Sequence, residues 1–343
     1  MLRNDHDLVR DVKVVQPVST VVRMLTHVSS SARRIGVLVA GIMVAVSSVA
    51  AAVDTTAPAL PTPGTAAQVQ ALVAASANVN SLPSNLYPNL SLVSTDSSGL
   101  YYPLSDKECD GTTSCVFANT TSKKTIVLFG DSHAQMWLPA LVPIAQQLGY
   151  KIVLIWRPGC PAASVTVWTG TTLGPDTACN SWRSNSLSQI HALAPSLVLL
   201  AGRTTGILDG NAKPTTDLAW TNGLETTITA LAGPHTSVAV IGDIVTFNKP
   251  LPECLAAFPT SVQKCSAGNP NKQVTNHYQA ERTAAKAAGA KFIETNPWLC
   301  APKVCSPVVG RFAAYFNAGH VSATYAEYLS TVFGAAVQKI LKP

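Results

Sequence analysis

One stretch, Thr125-Ile-Val-Leu-Phe-Gly-Asp-Ser-His133, constrains the chain more than any other. Its β-branched and apolar run, entered from Lys123 and Lys124, predicts a buried strand. Gly130 ends that strand. Residues 134–148 then bring apolar side chains round at helical spacing, with Met136, Leu138, Leu141, Ile144, Ala145 and Leu148 on one face. Ser132 is thereby set on a strand-to-helix turn, where its hydroxyl and its backbone N–H can both face a cleft. A nucleophile benefits from that place, because a helix N-terminus stabilises developing negative charge. A plain turn, with Asp131 or Ser132 as the helix cap, accounts for the same tripeptide.

A second stretch, Tyr315-Phe-Asn-Ala-Gly-His-Val-Ser-Ala-Thr-Tyr325, turns the reading toward catalysis. His320 precedes a strong helical pattern (Tyr325, Tyr328, Leu329, Val332, Phe333, Val337), and Ser322 has the makings of its N-cap. A lone loop histidine is usually a solvated residue. Paired with Gly-Asp-Ser-His upstream, it reads as a base, since both loops can emerge at the carboxyl end of a parallel sheet.

The rest of the chain supplies that sheet. Strands are predicted at 125–129, 151–156, 196–201, 237–241 and 290–294, separated by helical patterns at 134–148, 181–193, 216–232 and 271–288 and closed by a helix over 322–341. Alternating β and α units imply an α/β fold: a three-layer α/β/α sandwich around a mainly parallel five-stranded sheet.

Here the chain resembles the SGNH (GDSL-like) hydrolase superfamily. It is most similar to the SGNH domain found at the C-terminal end of bacterial acyltransferase-three membrane proteins. Gly130-Asp-Ser-His-Ala134, with Trp137 and Pro139, matches the nucleophile block of that subfamily. Arg157-Pro-Gly-Cys-Pro161 matches its second block, and Gly319-His-Val-Ser-Ala-Thr-Tyr-Ala326 its histidine block. The similarity runs from about Leu100 to the end, and it implies a flavodoxin-like SGNH domain over residues 100–343.

The resemblance implies that Ser132 attacks an ester carbonyl while His320 takes its proton and returns it to the leaving alcohol. In the family an Asp three residues before the histidine orients the imidazole; this chain has Asn317 there. An amide holds the ring but does not stabilise imidazolium as a carboxylate does. Three readings follow: a Ser-His dyad with Asn317 or a backbone carbonyl orienting the ring, another carboxylate such as Asp243 standing in, or a domain that mainly binds. For the oxyanion hole the backbone N–H groups of Ser132 and Gly159 are the candidates. The loop after the third strand is Gly202-Arg203-Thr204-Thr205, without the asparagine that the broader superfamily places there. Arg203 and His133 are the candidate substrate-binding residues. Asp131 is expected to brace the turn, and Asp243 to brace the loop between Cys254 and Cys265. Trp137, Trp156 and Trp182 fit either sugar stacking or the core. Nothing in these residues requires a cofactor or a metal.

Eight cysteines all lie beyond residue 100. Sequential pairing is expected (Cys109 with Cys115, Cys160 with Cys179, Cys254 with Cys265, Cys300 with Cys305), because each pair brackets a loop rich in Gly, Pro, Ser or Thr. Zinc is the rival reading, but no CxxC occurs and the histidines lie away from the cysteines. Disulfides imply an extracytoplasmic compartment.

Residues 1–34 are polar and end in Arg33-Arg34. Residues 35–53 carry no charge and are just long enough to span a bilayer, which predicts a signal anchor with its N-terminus in the cytoplasm. Small residues at Ser48, Ala50 and Ala52 leave a cleaved signal peptide, and hence a secreted domain, as the alternative. The resemblance implies that this span corresponds to the last membrane helix of the fused acyltransferase, leaving a free-standing SGNH domain. Residues 54–99, rich in Ala, Pro, Ser and Thr, read as a linker with one short helix over 66–77.

Formal net charge is +6, of which the first 53 residues supply +3 from six Lys/Arg against three Asp/Glu; with no basic cluster interleaved with aromatics, nucleic acid is not an expected partner. The function expected from the resemblance is O-acyl, chiefly O-acetyl, transfer to a cell-envelope polysaccharide or glycolipid, with a separate membrane acyltransferase as donor. A carbohydrate O-acetyl esterase and a non-catalytic glycan-binding module are the alternatives.

Overall fold

The computed structural model describes residues 61–102, 109–110, 115–169, 173–268 and 272–342. All of them belong to one unit, Asp54–Pro343. The span expected over 35–53 lies outside the described residues, and among the described ones no helix is long and apolar enough to cross a membrane.

The central sheet has seven strands: β1 (Cys109–Asp110), β2 (Val116–Ala118), β3 (Thr125–Gly130), β4 (Lys151–Trp156), β5 (Leu197–Ala201), β6 (Ser237–Ile241) and β7 (Lys291–Ile293). Five of them run parallel in the order β4-β3-β5-β6-β7. These are the five strands predicted from the sequence. The short β1 and β2 are additions, both antiparallel to β4 and closing that edge of the sheet. They span two and three residues, too few for period-two alternation to register.

Alternation along each strand sorts the core into two layers. Ile126, Leu128, Leu154, Leu199 and Ile241 pack on one face of the sheet. Val127, Phe129, Val153, Leu200 and Val240 pack on the other. The first layer is covered by α1 (Ala66–Ser76), α2 (Ser132–Gln135) and α3 (Leu138–Leu148), the second by α4 (Thr177–Leu193), α5 (Asp217–Leu231) and α6 (Lys272–Ala287). The closing helices α7 (Ala323–Tyr328) and α8 (Ser330–Leu341) return to the first layer. All six residues of β3 are buried, as a parallel strand covered on both faces requires.

Two predicted helices are broken. The pattern over 134–148 divides at Met136 and Trp137, and α3 restarts there because Pro139 in its first turn has no N–H to give to the preceding turn. The pattern over 322–341 divides at Leu329, whose N–H is shared between the carbonyls of Tyr325 and Ala326. Apolar periodicity persists across both breaks, so periodicity does not reveal them.

The linker reading of 54–99 does not survive over its described part. Helix α1 begins with a capping box between Thr65 and Gln68 and buries Val69 and Val73 in the first core layer. Further along, Asp96 is fully buried, accepting from the N–H and hydroxyl of Thr324 at the start of α7.

The sheet order also fixes where a site can form. From β3 the chain steps to β4 on one side, then crosses to β5 on the other. The carboxyl end of β3 is therefore the point at which strand order reverses, and a crevice opens there. Gly130 ends β3 at that point. A Cβ on it would lie 1.7 Å from the carbonyl oxygen of Ala201 on β5, so only glycine fits.

Candidate active site

The residues that follow Gly130 are held by one carboxylate. Asp131 caps α2 by accepting from the N–H of His133 at 2.8 Å, and its other oxygen accepts from the N–H of Arg203 at 2.9 Å. The cap is the bracing role expected of it; the tie between the β3 loop and the β5 loop is an addition. Ser132, the first residue of α2, is half-buried.

His320 arrives from the other end of the chain on a short loop. The loop is pinned where Phe316 donates to the His320 carbonyl, Ser322 to Ala314, and Phe247 to Ala318. Ser322 caps α7, accepting from Tyr325 N–H. The imidazole Nε2 lies 2.8 Å from the Ser132 hydroxyl, bridging 188 positions of sequence.

Asn317 decides which ring nitrogen turns its lone pair to Ser132. Its Oδ1 accepts from the N–H of Gly319 at 2.9 Å, which fixes the amide with its oxygen inward. That same oxygen is 3.0 Å from His320 Nδ1. An amide oxygen accepts and cannot donate, so Nδ1 carries the proton and Nε2 is left with the lone pair facing Ser132. Burial, and then the charges of His133 and Arg203, lower the His320 pKa to about 3. The ring is held as a neutral base.

Behind this pair lies a group of buried ionisable side chains. His133 is 1% exposed and its Nδ1 is 2.6 Å from Asp243. Asp243 also accepts from the N–H and hydroxyl of Thr204 and from the N–H of Ile244, while its own N–H donates to Glu281. Burial opposes ionisation of Asp243, but the neighbouring imidazole and these donors outweigh it and leave its pKa lowered. Burial, and then the negative charges of Asp243 and Asp131, raise that of Glu281 well above its ordinary value.

Two expectations are corrected here. Asp243 does not stand in as the orienting carboxylate of His320, because its oxygens are taken by His133, Thr204 and Ile244. Nor does it brace the loop between Cys254 and Cys265. The imidazoles of His133 and His320 meet edge to face with centroids 4.8 Å apart, so His133 backs the His320 ring. Trp137, Trp156 and Trp182 are all buried in the core, which removes them as sugar platforms.

Gly159 occupies the turn just after β4, with φ +68°, closed by a bond from Cys160 N–H to the Arg157 carbonyl. That turn neighbours the Ser132 loop because Trp156 registers with Gly130. Arg203 is exposed and borders a cleft of about 400 Å³ together with His133, Thr246, Lys249, Asn317 and His320. The loop carrying Thr246 and Lys249 has no motif in the sequence that marks it as part of a site. Only the strand order, which sets β6 two places from β3, brings it there.

All eight cysteines are paired, in the sequential pattern. The zinc alternative for them is thereby removed. Among the described residues no group of three His, Cys, Asp or Glu is arranged to hold a metal ion.

A family model described as "SGNH domain (fused to AT3 domains)" matches residues 102–335. Among solved structures, the chain is similar to the periplasmic domain of a lipopolysaccharide acetyltransferase from Salmonella ser. Paratyphi A, with 18% identity and a TM-score of 0.51 over 63% of this chain and 84% of that one. It is also similar to a carbohydrate acetylesterase from Sinorhizobium meliloti, with 15% identity and a TM-score of 0.40 over 63% of this chain and 99% of that one. An aryl esterase from M. smegmatis shares 16% identity with a TM-score of 0.43, over the same shares. No curated protein matches the chain. At 18% identity the likeness to the Salmonella ser. Paratyphi A domain is one of fold. The family match is of another kind, since it covers more than half of the chain and takes in Ser132, Asn317 and His320. The chain belongs to the SGNH family, in the branch whose domain occurs in other proteins fused to AT3 domains.

Proposed function

We propose that this protein is an extracytoplasmic serine acyl-ester enzyme that transfers O-acyl groups, chiefly acetyl, to a cell-envelope polysaccharide or glycolipid. The observation that carries the chemistry is the 2.8 Å contact between Ser132 Oγ and His320 Nε2, with the tautomer set by Asn317. Membership of a branch found fused to acyltransferase domains favours transfer over hydrolysis. Four disulfides favour an oxidising compartment outside the cytoplasm. The uncharged stretch over 35–53 would anchor the domain there, with the folded region from residue 61 onward as the catalytic unit and a separate membrane acyltransferase as acyl source.

In this mechanism the Ser132 oxygen attacks the ester carbonyl as its proton passes to His320 Nε2. The negative charge on the former carbonyl oxygen faces the N–H groups of Ser132 and Gly159. Collapse breaks the bond to the leaving alcohol, which takes the proton from Nε2, and acyl-Ser132 remains. An incoming hydroxyl then gives its proton to Nε2 and attacks the acyl carbon. Collapse of this second intermediate returns the proton to Ser132. Transfer and hydrolysis differ only in whether that hydroxyl belongs to a sugar or to water, so an O-acetyl esterase is the second reading.

A fluorophosphonate probe tests the chemistry. The wild type is expected to label covalently at Ser132, and Ser132→Ala and His320→Ala to remain unlabelled. A wild type that stays unmodified while retaining glycan binding would leave the domain as a non-catalytic binding module.

A further inference from the structure

The cleft beside His320 has an unbalanced charge. Of its lining residues, Arg203 and Lys249 are cationic at neutral pH and none is an Asp or Glu. Both are exposed, Arg203 on the loop after β5 and Lys249 on the loop after β6. Among the described residues, no carboxylate forms an ion pair with either of them. Asp131 and Asp243, the carboxylates bonded to His133, are buried and already occupied by His133, Thr204, Ile244 and the backbone N–H of Arg203. The guanidinium lies against Gly206 at the border of the cleft.

This charge also bears on the reaction. When Ser132 gives up its proton, His320 becomes a cation, a form that burial and the positive charges of His133 and Arg203 disfavour and the charge of Asp243 favours less strongly. Asn317 contributes no opposing charge. An empty cleft is thus a poor place to make an imidazolium. A bound anion beside Arg203 would offset that positive charge at the moment of proton transfer.

We propose that the cleft is built for esters carried on an acidic glycan, with a carboxylate or phosphate group of the sugar seated against Arg203 and Lys249 while the acyl carbonyl lies at Ser132. The inference rests on the serine acyl-ester reading above and adds the substrate class. Arginine suits such a group because its planar fork matches two oxyanion oxygens, and lysine adds a point charge from the opposite loop. The substrate then supplies the negative charge that the chain lacks at position 317.

The test compares three O-acetylated sugars on the full chain: methyl glucoside, methyl glucuronide and glucose phosphate. The acidic esters are expected to exceed the neutral one in kcat/KM by about tenfold or more, with the advantage shrinking as salt rises. Arg203→Ala and Lys249→Ala should each lower the acidic-to-neutral ratio, and Arg203→Lys should retain more of it than alanine does. Whichever acidic ester leads identifies the group, carboxylate or phosphate. A ratio near one in the wild type, or equal losses for acidic and neutral esters in the variants, overturns the proposal. Calorimetry on Ser132→Ala, with a glucuronate-containing oligosaccharide against a neutral one, separates the two readings. Selective, salt-sensitive binding of the acidic chain in a protein that turns over no ester sinks the enzymatic reading and sustains the acidic cleft. Equal binding of both chains sinks the acidic cleft.

Discussion

On the proposed mechanism, Asn317 sets the level at which this site can operate. In serine proteases, replacing the orienting aspartate by asparagine costs about four orders of magnitude, much of it because the amide selects the wrong imidazole tautomer. Here the Gly319 N–H locks the amide oxygen onto His320 Nδ1, so the correct tautomer is kept and only the carboxylate charge is missing. Asn317→Asp is therefore expected to raise hydrolysis of a neutral ester by about 10- to 100-fold rather than 10⁴-fold. No gain in kcat would show that the amide already does all that a carboxylate would.

The depressed pKa of His320 makes a second prediction. A histidine whose folded pKa lies below its unfolded value favours the neutral ring. Its contribution to stability is present above about pH 6.5 and is lost as pH falls toward its folded pKa. Labelling of Ser132 by a neutral fluorophosphonate should thus stay flat from pH 8 down to about pH 5, well below the ordinary histidine midpoint. A fall centred near pH 6.5 would mean that the ring titrates as a solvated group. At this scale Ser132, Asn317 and His320 were legible, because each sits in a block of characteristic neighbours. The partnership of His133 with Asp243 was not, because its two members lie 110 positions apart and meet only through the order of the strands.

The five parallel strands were legible because a strand buried on both faces is a nearly unbroken apolar run. The breaks in the helices at Trp137 and Leu329 were not, because both halves present the same apolar face. The second-block turn shows how elements hold the site. It leaves β4 at Arg157 and is fastened to α4 by the disulfide between Cys160 and Cys179. Beneath it the buried Arg183 donates to the carbonyls of Pro161 and Val165. This bridge encloses the longest of the four disulfide loops, with a separation of 19 residues. Cys160→Ser with Cys179→Ser should lower stability in urea by about 2–4 kcal/mol. It should also slow Ser132 labelling more than loss of the Cys300–Cys305 bridge does, if Gly159 serves the oxyanion. Equal labelling rates in the two variants would remove that turn from the site.

Over the whole molecule, the region that composition most misrepresents is 61–98. Ala, Pro and Ser suggested a tether, yet three contacts weave this region into the domain. Helix α1 lies in the first core layer, Tyr87 exchanges backbone hydrogen bonds with Arg311 and Ala313, and Asp96 receives Thr324. Composition could not show this, because the partners sit more than 200 positions away and only a few apolar residues carry the packing. Asp96→Ala leaves the Thr324 donors unmet and is expected to cost about 2–3 kcal/mol by urea denaturation. A loss under 0.5 kcal/mol would mean that water replaces the carboxylate.

The threading of Asp96 under α7 has a practical corollary for anyone cutting this protein into parts. Thr324 stands four places after His320, so a fragment begun at residue 100, where sequence similarity alone would place the border, would arrive without the brace beneath its own base. Silence from such a fragment would report on the scissors rather than on the enzyme.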